Sequence, residues 1–129
     1  MTLRWKIDSE EQIFEVVCDG LVEGAEVDQM LDVLVASRAL GYRKLFDGTR
    51  GETRMGPLEV LKVGVRIRAL HAGYRVLGPL AVVAPDDRYP VLARVLGILA
   101  VPPRPMKVFS DVRRARAWLN SRALQRSHN

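Results

Sequence analysis

Hydrophobic and polar positions alternate at the start of the chain: Leu3, Trp5 and Ile7 are separated by Arg4, Lys6 and Asp8. That period of two predicts a strand with one wet face. Ser9-Glu10-Glu11 turns the chain into residues 12–20, QIFEVVCDG, a more continuous apolar run of the kind expected of a strand covered on both faces. The two runs together read as a hairpin. Over residues 23–40 the period becomes helical, with Val27, Met30, Leu31, Leu34 and Val35 on one stripe. Glu23, Glu26 and Asp28 in the first turns complement the helix dipole, and Gly41 is placed to close the helix.

A short strand over 43–47 comes next, then a polar connection and a helix over 57–72. Pro57 suits the first helical position, where its missing N–H had no partner in any case. Residues 78–85, GPLAVVAP, form a short apolar run between breakers and read as a central strand. Asp86 is placed to cap a helix over 86–101, residues 105–111 supply a last strand, and Ser110 caps a final helix ending at Arg122. The order β-β-α-β-α-β-α-β-α predicts an α/β fold. It has a single mixed, mostly parallel five-stranded sheet with four helices, and only its first strand is antiparallel. One domain over 1–123 and a disordered basic tail over 124–129 complete the reading.

Composition narrows the class. At 129 residues, 48 % hydrophobic and 27 % charged, the chain suits one globular domain with one core. No apolar run is long enough to span a membrane, and MTLRWKIDSEEQ lacks the apolar stretch of a secretory signal. The expectation is a cytoplasmic protein. A single cysteine, Cys18, lies in a strand-like run and reads as a buried structural thiol. The net charge of +5 is unevenly spread. Residues 1–37 hold nine acids and two bases (−7), whereas residues 104–129 hold seven bases and one acid (+6). Arg113, Arg114 and Arg116 fall opposite Val112, Ala115 and Leu119, which predicts a solvated helix face and no nucleic-acid partner.

The element order and lengths resemble the STAS, or SpoIIAA-like, superfamily through about Ala123. In its anti-sigma-factor antagonists a regulatory serine, in an Asp-Ser-Ser-Gly-like motif, opens the helix after the third strand. Here the matching place reads Thr53-Arg54-Met55-Gly56: the glycine fits and neither serine is present. The chain looks closer to the SpoIIAA-like branch that resembles CRAL-TRIO lipid-transfer folds. That resemblance implies a non-catalytic regulatory or protein-interaction module, or a carrier of a lipid or other small apolar ligand.

The connection itself, GETRMGPL, nearly spells a phosphate-binding loop, with four residues between Gly51 and Gly56. Pro57 and Leu58 then occupy the places of its Lys and Ser/Thr, so nucleotide hydrolysis is not expected. Anion binding through Arg50, Arg54 and a helix N-terminus stays open, as does modification of Thr49 or Thr53. Asp47, at the C-terminal end of a parallel strand, is the best-placed acid for ligand work, and an Asp-Gly turn explains it equally well. Asp47, Thr49, Arg50, Thr53, Arg54 and Gly56 form the candidate ligand or phosphosite loop. His71 near a helix end, Asp86-Asp87 and the lack of Cys-x-x-Cys, His-x-x-x-His or Gly-x-Ser-x-Gly spacing suggest no metal, cofactor or catalytic set. The helix over 86–101 is apolar over most of its circumference. Leu92, Val95, Leu96 and Leu99 are therefore a candidate interface for a second subunit or an apolar ligand.

Overall fold

Strand β1 (Leu3–Asp8) pairs antiparallel with β2 (Ile13–Val22), from Leu3 opposite Cys18 to Asp8 opposite Ile13. The hairpin expected from the alternation is present. Asp8 Oδ1 accepts the Glu10 and Glu11 amides at 3.1 and 3.0 Å, and Gln12 takes a φ of 54° to finish the turn. The computed structural model describes residues 3–53, 78–84 and 106–127, together with Lys62, Val65, Arg66 and Ala69.

After β2 come helix α1 (Gly24–Ala36), β3 (Arg43–Thr53), β4 (Leu80–Val83), β5 (Met106–Phe109) and helix α2 (Val112–Ser127). The sheet order is β1-β2-β3-β4-β5, with every pairing after the first parallel. The mixed, mostly parallel five-stranded sheet is thus as expected. The described elements run β-β-α-β-β-β-α, however, with two helices delimited among the described residues and not four. The helix expected over 57–72 is represented by Lys62, Val65, Arg66 and Ala69, all helical, and that over 86–101 lies outside the described residues.

Two cores flank the sheet. On one face Phe14, Val16 and Cys18 of β2 and Leu3 of β1 are buried against Val27, Met30, Leu31 and Leu34 of α1. On the other, Leu45, Ala81, Val83 and Phe109 meet Ala115 and Leu119 of α2. The expectation that β2 is covered on both faces fails, because α2 packs on β3, β4 and β5. Val17 on the second face keeps 41 % of its area exposed.

Several boundaries move for identifiable reasons. Helix α1 stops at Ser37, well before Gly41, and Arg38 takes the left-handed φ of 57° that a closing glycine usually takes. The Ala39 amide then donates back to the Leu34 carbonyl at 3.1 Å. The early stop lets Ala39 and Leu40 enter the core, where both are buried. Helix α2 runs through Ser127, past the expected end at Arg122. Ala123, Leu124, Gln125 and Arg126 are strong helix formers, which accounts for the extension. Gly78 closes the approach of β4 to the end of α1: its amide donates to the Leu40 carbonyl at 2.9 Å, and any Cβ there would overlap the Tyr42 carbonyl oxygen.

Candidate functional site

The largest departure falls on the candidate loop. β3 does not end at Asp47 but continues to Thr53, pairing Arg50, Gly51, Glu52 and Thr53 with Asp19, Gly20, Leu21 and Val22. Asp47 is the last residue opposite β4, facing Val83. Beyond it the strand keeps β2 as its neighbour. The register jumps from Val17–Asp47 to Asp19–Arg50, so Gly48 and Thr49 together stand opposite Cys18. This is a β-bulge.

Asp47 builds the bulge. Its Oδ1 accepts the Thr49 amide at 3.1 Å and the Thr49 hydroxyl at 2.6 Å, an Asx turn closed on itself. The extra residue also reverses side-chain parity along β3, which brings Arg50 into register with Asp19. Asp19 in turn pairs with Arg4 of β1 at 3.5 Å. Gly51 is needed beside the bulge, because a Cβ there would come 2.9 Å from Cys18 Cβ. Cys18 itself is buried, as the sequence predicts. Burial, then the charges of Asp47 and Glu26, push its thiol up to about 12.

Asp47, Thr49, Arg50 and the backbone of Thr53 therefore lie on one strand, in the places the sheet dictates, and not in an open loop before a helix. Arg54 and Gly56 lie outside the described residues, as do Leu92, Val95, Leu96 and Leu99, His71 and the Asp86-Asp87 pair. Among the described residues no group of three or more His, Cys, Asp or Glu side chains is arranged to hold a metal ion.

Buried bases at the other end of β3 escape sequence reasoning. The Arg43 guanidinium, 7 % exposed, donates to the Glu11 carbonyl at 2.8 Å and the Leu119 carbonyl at 3.4 Å, joining the hairpin turn to α2. Lys44 Nζ, on the opposite face, donates to the carbonyls of Leu40 and Tyr42 at 2.5 and 2.9 Å. Two bases immediately before Leu45-Phe46 were the available signal. Farther along the chain, Arg66 binds Asp28 at 2.8 Å and also Asp32, which ties its helical segment to α1.

Helix α2 carries the bases of its first turns outward. Arg113, Arg114 and Arg116 are exposed, opposite the buried Ala115 and Leu119, in agreement with the predicted solvated face. Arg116 reaches across to Glu15 of β2 at 2.5 Å and marks the limit of the covered part of the sheet. Beyond that limit, Val17 and Leu21 of β2 are 41 % and 36 % exposed. No helix among the described residues is long and apolar enough to cross a membrane.

The arrangement, a five-stranded sheet opened by an antiparallel strand, matches a solved structure from Shewanella loihica PV-4. That protein is an uncharacterized member of the DUF3478 family with a SpoIIAA-like fold. The match covers 91 % of each chain at 17 % identity, with a TM-score of 0.59. The fold is SpoIIAA-like. No protein-family model matches the chain, and no curated protein matches it. At that identity the likeness concerns the SpoIIAA-like fold alone, and function has to be reasoned from this chain's own residues.

Proposed function

We propose that this SpoIIAA-like chain is a non-catalytic regulatory or protein-interaction module that works by contact, as a homodimer. The observation that carries this reading is the uneven cover of the sheet. Helix α2 packs over β3, β4 and β5, and the half formed by β1 and β2 keeps Val17 and Leu21 exposed on that face. Apolar side chains grouped on an open sheet face are the kind of area that a protein partner covers. Polar groups along β3 support the same reading, since Arg43, Lys44, Asp47 and Thr49 are engaged in holding the fold. Asp47 closes the bulge, and Arg43 and Lys44 satisfy main-chain carbonyls.

Native mass spectrometry of the purified chain tests this. Dimers free of small-molecule adducts are the expected species. A monomer carrying a stoichiometric apolar molecule would replace the module with a carrier.

A further inference from the structure

The free edge of the sheet points to how a second copy is held. Among the described residues β1 pairs with β2 alone, so its outer side offers backbone donors and acceptors to a new strand. We propose that β1 pairs antiparallel with β1 of a second copy, with Lys6 facing Lys6 on the two-fold axis. The sheets of the two chains then join into one. This rests on the homodimer reading above and sets the two chains edge to edge, so that Val17 and Leu21 of both copies lie on one shared sheet face beside the seam.

The register follows from faces and charges. A two-fold axis normal to the sheet keeps each side chain on its own face, so facing residues must have numbers of even sum. With Lys6 on the axis, Arg4 faces Asp8 of the second copy, and Asp8 faces its Arg4. Opposite charges directly across a ladder favour pairing. On the other face Trp5 meets Ile7 and Ile7 meets Trp5. Ile7 is 36 % exposed in the single chain and Trp5 is half-buried, so each gains apolar cover. Placing Trp5 on the axis instead sets Arg4 against Lys6 twice, which opposes pairing. Placing Ile7 there leaves only residues 6–8 of β1 to pair.

Neighbouring contacts fit the Lys6-centred register. Glu26 Oε2 already accepts the Leu3 amide at 3.1 Å, and a ladder over Arg4 to Asp8 leaves that bond intact. The turn amides of Glu10 and Glu11 both use Asp8 Oδ1. Among the described residues Arg4 is held by Asp19 at 3.5 Å, with 71 % of its side chain exposed, and an exposed pair of that kind contributes little. The single Lys6–Lys6 encounter keeps the association weak, which is how edge lysines limit uncontrolled sheet growth.

The test uses the full chain with Cys18→Ala, so that an introduced thiol is the only one. Facing residues of an antiparallel ladder have Cα atoms about 4.5–5.5 Å apart, within the roughly 4.4–6.8 Å that a disulfide spans. Lys6→Cys is expected to oxidise to a covalent dimer. Arg4→Cys, whose counterpart lies two ladder steps beyond the axis, is expected to stay a thiol. In an otherwise wild-type chain, Arg4→Asp should weaken the dimer about tenfold while circular dichroism is unchanged. Equal cross-linking of the two cysteine variants would overturn the register. A Lys6→Cys chain that stays reduced while the wild type dimerises would overturn the β1 edge and leave the homodimer standing. A wild type that never dimerises would end both.

Discussion

The Thr49 hydroxyl donates to Asp47 Oδ1 at 2.6 Å, and the Thr49 amide donates to the same oxygen at 3.1 Å. This turn holds Gly48 and Thr49 as the two residues opposite Cys18 and lets β3 resume pairing at Arg50. An acid that looks poised for a ligand is occupied with backbone geometry.

Removing the carboxylate tests that role. Asp47→Ala loses both bonds and should lower stability by about 1 kcal/mol in urea denaturation, a typical net value for such exposed hydrogen bonds. Thr49→Glu should also destabilise, since it sets a second negative charge against Asp47. Unchanged urea midpoints in both variants would mean that the bulge does not depend on the turn.

Cys18 gives the fold an alkaline limit. Its folded thiol is pushed from an ordinary 9.0 up to about 12, so the unfolded chain releases this proton first as pH rises. The contribution is full below pH 9.0 and is lost as pH climbs toward about 12. Urea melts over that window should lose stability faster for wild type than for Cys18→Ala. Alkylation of the native thiol by iodoacetamide near neutral pH should be slow and should accelerate in urea.

Arg38 occupies a backbone conformation that suits glycine, with φ at 57° and its side chain exposed. Arg38→Gly should therefore raise stability by about 1 kcal/mol, read as an increase in the thermal midpoint. A decrease would show that the Arg38 side chain has a role its position does not reveal.

Arg43 joins two parts of the chain that are distant in sequence, through the carbonyls of Glu11 and Leu119. Arg43→Met keeps the aliphatic bulk and strips both donors. It should cost about 2 kcal/mol, because acceptors are left unpaired, one of them in a buried contact. Hydrogen exchange should then quicken in the turn after β1 and in α2. An effect confined to β3 would contradict the bridging role.

Most of the architecture is legible in the pattern of the chain, and the failures have specific causes. The alternation of Leu3, Trp5 and Ile7 and the stripe from Val27 to Val35 each report a local period, and both elements form where expected. The SpoIIAA-like order follows from those periods and the breakers between them. The end of α1 was misjudged because Gly41 is an obvious stop, whereas the helix ends at Ala36, with Ser37 as its cap and Arg38 turning the chain so that Ala39 and Leu40 can be buried. The candidate site was misjudged because Asp47-Gly48 and Gly51 carry the composition of a loop. What makes them strand is pairing with β2, a long-range relationship that local composition does not encode. Likewise, Arg43-Lys44 directly before Leu45-Phe46 is a local signal for bases in a strand, but the Glu11 and Leu119 carbonyls that bury Arg43 are distant in sequence.

Self-association is the claim on which the functional account turns, and sedimentation equilibrium of the wild-type chain over a range of loading concentrations measures it. The account predicts a weight-average mass that rises with concentration from 14.5 kDa toward that of two chains. A mass that stays at 14.5 kDa at every concentration would contradict it.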